Sequence, residues 1–271
     1  MTQIVPSEYR GKAFSRFGGI NRIGWFFGPV IGGFTAGSIG IDIPFYIISI
    51  VALITTILIF FTTEPANENL IQSNEIKPPT FKETILDNKK SFTIGGSGHF
   101  IMQFLRQCRH VLIPIWAFSI GLGVEELGLI QSISAAIDMT LFYPVGLIMD
   151  KYGRKWTSVP SIILLSLGFI FMTYVDSFNG LMLVGLLLGF ANGLGSGAML
   201  TLGSDLSPKN QPGSFLGIWR LFGWSGNSAG GPISGAIAQT VGNTASALSI
   251  SMIGGIGVII FSFLLPETLK E

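Results

Sequence analysis

The sequence predicts an all-α fold, a polytopic membrane helix bundle with about eight transmembrane helices. Hydrophobic residues make up 48% of the chain and charged residues 11%, and the mean hydropathy is +0.59. That is too little charge to cover a soluble globule of this length. Apolar runs near 20 residues recur from end to end, each long enough to cross about 30 Å of hydrocarbon. Lys and Arg gather in alternate joints, as they do where one side of a membrane protein faces the cytoplasm.

The spans follow in order. The first, 17–38, opens after a polar segment carrying Glu8, Arg10 and Lys12, which has no apolar stretch of the kind a signal peptide needs. Asp42 separates it from the second span, 44–62. The joint after that is long and charged, runs over 64–91, and contains Pro65, Pro78 and Pro79; its one helix-like stretch is 81–86, with Lys82 and Glu83 on the wet side. It reads as a linker between two bundles. The third span, 98–120, holds Cys108, the one cysteine, so no disulfide or Cys-based metal site forms within the chain. Glu125 and Glu126 introduce the fourth span, 127–149, and a basic turn leads to the fifth, 156–175. The joint 176–179 precedes the sixth span, 181–201, and the seventh and eighth are 215–238 and 245–264. Short joints favour antiparallel neighbours.

Orientation comes from the basic residues. Arg10, Lys12 and Arg16, then Lys77, Lys82, Lys89 and Lys90, then Lys151, Arg154, Lys155, Lys209 and Lys270 all fall on one side of an eight-span chain. Both termini and the linker are therefore expected in the cytoplasm. The basic residues form no single patch, so no nucleic-acid partner is expected; the lipid bilayer is.

Two motifs stand out. Gly146-x-x-x-Asp150-Lys151-x-Gly153-Arg154-Lys155 ends the fourth span. A glycine lets helices approach, Asp150 can accept from a helix N-terminus or an arginine, and Gly153 permits a tight turn. The plainer reading is a basic turn that obeys the charge rule. In the first span, Gly24, Gly28, Pro29, Gly32 and Gly33 offer a groove to a partner helix, with Pro29 removing a backbone hydrogen bond. Ordinary close packing explains this second motif equally well. A related set, Gly226, Gly230, Gly231, Pro232 and Gly235, occupies the seventh span, six spans later.

The first motif matches, at every specified position, the loop signature G-x-x-x-D-(R/K)-x-G-(R/K)-(R/K) of the major facilitator superfamily, and the second resembles that family's antiporter motif. The resemblance covers the whole chain and implies that its spans correspond to the fifth through twelfth helices of the family, the first four being missing. The ending Leu265-Pro266-Glu267-Thr268 also looks like the family's C-terminal tail. On this mapping residues 1–63 are a two-span remnant of the N-terminal bundle, 64–96 the central cytoplasmic linker and 97–271 the C-terminal six-helix bundle. The resemblance further implies that Asp150 and Arg154 belong to a charge relay that latches the cytoplasmic side.

Charges inside spans are costly and mark functional candidates. Arg22 and Arg220 lie near span ends, where they can reach headgroups. Arg109 and Asp138 sit mid-span on adjacent antiparallel helices, and Arg106, Gln103 and His110 extend Arg109 into a polar stripe. Two readings remain open: a cavity that binds a polar or anionic substrate group or moves protons through Asp138, and a buried ion pair that fixes helix packing. His110 reads as a packing residue, and Trp116, Trp219 and Trp224 as interfacial or lipid-facing. No Walker-type loop, metal-ligand cluster, catalytic triad or cofactor motif is present in the sequence. The expected function is a secondary active transporter of a small solute, ion-coupled by antiport or symport and located in the cell membrane, with a proton or other ion as partner. The alternative is a non-transporting sensor or assembly protein that retains the C-terminal bundle.

Overall fold

The computed structural model describes the backbone of residues 10–62, 80–208, 212–265 and 267–268, with side chains described from residue 23 onward. Within these residues the chain is helical, without strands. The helices are α1 (Arg10–Ser38), α2 (Ile43–Thr62), α3 (Phe81–Asp87), α4 (Lys89–Ser91), α5 (Ser97–Ser119), α6 (Val124–Tyr152), α7 (Lys155–Met172), α8 (Phe178–Leu194), α9 (Ala198–Leu206), α10 (Pro212–Val241) and α11 (Asn243–Ile259). A π-helical turn, Phe92–Gly96, joins α4 to α5, and another, Ile260–Leu264, extends α11.

Five of these stretches are long and apolar enough to cross a membrane: Ile43–Thr62, Val124–Tyr152, Lys155–Met172, Phe178–Leu206 and Asn243–Leu264. The other three expected spans coincide with α1, α5 and α10, which have 29, 23 and 30 residues and are long enough but more polar. In α5 the polarity is Gln103, Arg106, Gln107, Arg109 and His110. The linker residues 64–79, among them Lys77 and the prolines, and also Lys209 and Lys270, lie outside the described residues, as do the side chains of Arg10, Lys12, Arg16 and Arg22.

The chain divides into two compact units. The first comprises residues 1–77 and 124–132, that is α1, α2 and the start of α6. Helix α2 is apolar on every side and buries none of its residues, the pattern of a helix whose solvent is lipid. The second unit comprises residues 78–123 and 133–271.

In the second unit α5 packs along α10, α7 lies between α8 and α11, and α11 returns to α5. Lipid tails are as apolar as leucine, so close packing and interhelical hydrogen bonds must hold such helices together. The residues suit that requirement. An added Cβ at Gly226 would strike the Phe100 backbone, and one at Gly230 would come within 2.8 Å of the Phe104 carbonyl, so these glycines set how closely α10 approaches α5. Hydrogen bonds tie other pairs. Ser161 Oγ donates to the Ala191 carbonyl at 2.6 Å, Ser246 Oγ to the Ser234 carbonyl at 2.8 Å and Trp116 Nε1 to the Val175 carbonyl at 3.0 Å. Each contributes about 0.6 kcal/mol on average.

Two sequence expectations change. Trp116 and Trp219 are buried, at 6% and 2% exposure, and only Trp224 of the three is exposed. Trp219 fits against Gly95 and Gly203, stacks on His99 at 4.9 Å and donates to the Met199 carbonyl at 2.9 Å, so its partners are protein and not lipid. The expected sixth span, 181–201, is interrupted: α8 ends at Leu194, Gly197 takes φ +79°, and α9 starts at Ala198. Glycine adopts that left-handed conformation without the clash a Cβ would bring.

Candidate functional site

Three places hold the residues that the sequence marks, and each lies within one unit. The first is the polar stripe of the second unit. Arg109 is 6% exposed; its Nη1 donates to the Leu188 carbonyl of α8 at 3.2 Å, and its Nη2 lies 3.4 Å from His110 Nε2. Asp138 of α6 is near enough for its charge to act on Arg109. Arg106 Nη1 donates to Gln103 Oε1 at 3.2 Å, one helical turn away on α5. Its other terminal nitrogen reaches the break in α8, where a Cβ on Gly195 would lie 2.8 Å from Arg106 Nη2. A Cβ on Gly193 would lie 3.2 Å from the Asp138 Cα, so α6 meets the same break from its own side. Arg106, with Gln103, and Asp138 thus lie by the discontinuity between α8 and α9, whereas Arg109, with His110, meets α8 about two turns earlier, at Leu188.

The sequence does not announce the helix break, because the spacing Gly193-x-Gly195-x-Gly197 also suits close helix packing. Toward the end of the expected span the helical ladder gives way to turn hydrogen bonds, Ser196 N to the Gly193 carbonyl and Ala198 N to the Gly195 carbonyl, an arrangement tolerated where polar side chains line the gap.

The second place is the loop motif. Gly153 takes φ +104°, which lets α7 begin directly after α6. Arg154 meets an acid, Asp205 at the end of α9, through Nε to Oδ2 at 2.7 Å and Nη2 to Oδ1 at 3.4 Å. Its Nη1 also donates to the Met149 carbonyl at 3.1 Å. Glu267 from the tail caps α7: its Oε1 accepts from the Arg154 backbone N at 2.9 Å and its Oε2 from the Lys155 backbone N at 3.1 Å. A carboxylate suits the exposed N–H groups and positive dipole end of that helix. Thr268 Oγ1 donates to Asp205 Oδ2 at 2.8 Å, and Lys155 Nζ donates to the Ser262 carbonyl at 3.0 Å. One network thus joins α6, α7, α9 and the tail.

Asp150, expected in the relay, is exposed, and the carboxylate that Arg154 engages is Asp205. Asp205 had no motif to mark it. Lys151 is exposed beside the Tyr152 ring, at 5.1 Å, and a Cβ on Gly146 would have nothing within 4 Å, so no close helix approach is seen there.

The third place is the small-residue motif of α1, in the first unit. Gly33 packs on α6: its added Cβ would lie 2.9 Å from both the Gly128 Cα and the Val124 carbonyl. A Cβ on Gly128 would come 2.6 Å from the Pro29 carbonyl. Gly24, Gly28 and Gly32 have nothing within 4 Å and instead line an apolar groove of about 620 Å³ with Trp25 and Ile48. Of the motif's five residues, Pro29 and Gly33 therefore pack on α6, and Gly24, Gly28 and Gly32 face open space. Among the described residues, no group of three or more His, Cys, Asp or Glu side chains could hold a metal ion.

Comparison with known proteins agrees with this architecture. The chain is 23% identical over 270 residues to an uncharacterized MFS-type transporter of Methanocaldococcus jannaschii, covering 97% of this chain and 68% of that protein. It is 29% identical over 157 residues to the multi-drug resistance efflux pump PmrA of Streptococcus pneumoniae, covering 56% of this chain and 37% of the pump. Among solved structures it resembles a POT family transporter in complex with a thioalcohol-conjugated peptide, with TM-score 0.52, 15% identity and coverage of 96% of this chain and 54% of that one. A POT family transporter in complex with 5-aminolevulinic acid is similar at TM-score 0.51 and 14% identity. The chain thus spans about half the length of the solved transporters it matches. The family profile described as Major Facilitator Superfamily matches residues 1–106 and again 95–271, and the chain belongs to that superfamily.

Proposed function

We propose that this multi-pass membrane protein acts in secondary active transport of a small solute by alternating access, coupled to an ion gradient. The stripe of Gln103, Arg106, Arg109 and Asp138, which runs along α8 to its break with α9, is the observation that carries this reading. Such charges are costly in a membrane interior, and two of them, Arg106 and Asp138, lie where a helix is interrupted, as in the binding sites of broken-helix transporters. Asp138 is the residue proposed to carry a coupling proton, and Arg106 and Arg109 to meet the solute.

The network of Arg154, Asp205, Glu267 and Thr268 serves as a latch that favours one state of the cycle. On the charge rule this latch, the linker and both termini face the cytoplasm, and the protein sits in the cell membrane. Similarity over part of the chain to a multi-drug resistance efflux pump supports export, with the ion coupled by antiport or symport. The groove beside Gly24, Gly28 and Gly32 is proposed as a helix-packing surface, and the division 1–63, 64–96 and 97–271 as two bundle parts and a linker.

The test is proton movement in proteoliposomes of the full gene product, reported by entrapped pyranine while organic anions, zwitterions and cations are added in turn. Solute-dependent proton flux that Asp138→Asn abolishes is expected. Absence of flux with every class would refute coupled transport. The pair Arg109→Asp with Asp138→Arg separates the roles of these two groups: recovered flux in the double variant means a structural ion pair, and lost flux with intact insertion means coupling.

A further inference from the structure

We propose that α3 and the lysines that follow it form a docking surface for the anionic headgroups of the lipid leaflet beside this end of the second unit. The surface is separate from the polar stripe and holds whatever the solute is.

The faces of α3 are the first observation. At about 100° per residue, even this 7-residue helix sorts its side chains into distinct faces. Thr84 is buried, at 4% exposure, and α3 packs against α10. Glu83 and Asp87, one turn apart, are exposed and share a second face. The Glu83 carboxylate is committed there to the helix start, where Oε2 accepts from the Thr80 backbone N at 2.8 Å. Phe81, Lys82, Ile85 and Leu86 occupy an arc of about 140° that contains no acid. Phe81 and Leu86 are 59% and 60% exposed. An apolar and basic face set against an acidic one is the pattern of a helix lying in a membrane surface. There a lysine stem runs along the acyl boundary while its ammonium group reaches the phosphates.

Depth is a second, independent observation. The chain turns at Asn88, with φ −115° and ψ 26°, and beyond it α4, the π-helical turn and α5 run without a break from Lys89 to Ser119. At about 1.5 Å per residue that stretch is about 46 Å long. A bilayer with both headgroup layers measures about 40–45 Å. The exposed Lys89 and Lys90 at its start therefore come to the level of the headgroups. The contact of α3 with α10, and the stacking of Phe92 on Phe215 at 4.6 Å, hold the segment there. Charge complements the position. Lys82, Lys89 and Lys90 stand at the surface, and on the charge rule this is the cytoplasmic side, whose leaflet carries the anionic lipids.

The experiment places a single cysteine at Leu86 or at Asp87 of the full gene product, in a background freed of other cysteines, Cys108→Ser included. An environment-sensitive NBD label is attached, and the protein is reconstituted into phosphatidylcholine nanodiscs with rising fractions of phosphatidylglycerol. The Leu86→Cys label is expected to brighten, shift to the blue and become quenched by a spin-labelled lipid as phosphatidylglycerol rises, while the Asp87→Cys label stays in water. Each lysine is worth about fivefold in the docking equilibrium, so Lys82→Gln alone should weaken docking about fivefold and the variant Lys82→Gln, Lys89→Gln, Lys90→Gln about a hundredfold. The unfolding temperature shows whether each variant is folded. A Leu86→Cys label indifferent to phosphatidylglycerol overturns the assignment, as does an equal response at Asp87 or a response unchanged in the triple variant. The same change produced by inorganic phosphate in pure phosphatidylcholine would mean a free-anion site and overturn it too. Nanodiscs offer the same lipid on both faces, so the outcome does not depend on orientation, and coupled transport is judged separately by the pyranine assay.

Discussion

Replacing Gly153 with alanine tests the latch at its tightest point. The residue takes φ +104°, and its added Cβ would lie 2.5 Å from both Cδ and Oε2 of Glu267. Two costs are expected. Placing an L-residue in the left-handed region costs about 1–2 kcal/mol. Displacing the Glu267 carboxylate removes its bonds from the Arg154 and Lys155 backbone N–H groups, and at this solvent-exposed site each is worth about 1 kcal/mol after screening. Gly153→Ala should therefore destabilise by about 3–4 kcal/mol. Glu267→Ala alone should cost about 2 kcal/mol, since it loses the same two bonds. In the double variant the clash is gone and only backbone strain is added, so the second substitution should cost about 1–2 kcal/mol. Equilibrium unfolding of the four proteins in mixed micelles gives this coupling directly. If Gly153→Ala costs the same with and without the Glu267 carboxylate, the carboxylate does not occupy that space and the proposed cap is wrong.

The ion pair of the latch should behave in the same way. Arg154 and Asp205 side chains are 12% and 24% exposed, so a cycle of Arg154→Gln and Asp205→Asn should show a coupling of about 1–3 kcal/mol, and additivity within experimental error would count against it. The motif in α1 predicts opposite outcomes at neighbouring glycines: Gly28→Ala, with nothing near, should leave the unfolding temperature unchanged, whereas Gly33→Leu, facing Gly128, should lower it markedly. Equal responses would contradict the packing described. On α3, Thr80 and Glu83 form a reciprocal cap, and the Thr80 backbone N–H, with its hydroxyl, lowers the Glu83 pKa. That contribution is present above the ordinary carboxylate value and fades as pH falls through the lowered one. Amide protection in α3, corrected for intrinsic exchange, should fall over that acid window, and Glu83→Gln should flatten the response; an unchanged profile in Glu83→Gln would place the pH effect elsewhere.

The bundle was legible because hydropathy acts locally. Runs such as 44–62 must cross the bilayer wherever they are placed, and α5 was legible in spite of its arginines because a polar stripe recurs at helical spacing. The loop motif likewise announced a turn at Gly153. What failed to show were partners fixed by tertiary structure. Arg154 lies 51 residues from Asp205 and 113 from Glu267, and an exposed acid at a helix end looks the same in sequence whether it meets solvent or an arginine. Trp219 was expected at a lipid interface because tryptophan favours that place, yet Gly95, Gly203 and His99 make a notch for it inside the protein. The break at Gly195–Gly197 was hidden for a related reason: small residues in an apolar run usually signal close packing, and only the backbone shows that this glycine cluster ends a helix.

Alternating access is the central claim, and it can be tested without knowing the solute. A single cysteine at Gln103, placed in a Cys108→Ser background, would be probed with a membrane-impermeant thiol reagent from each side of right-side-out and inverted vesicles. Labelling from both sides is predicted, with Arg154→Gln raising the rate from the cytoplasmic side as the latch is released. A cysteine that reacts from neither side, or from one side only and at a rate that the Arg154 substitution does not change, would mean that the polar stripe is a sealed packing element and not a transport pathway.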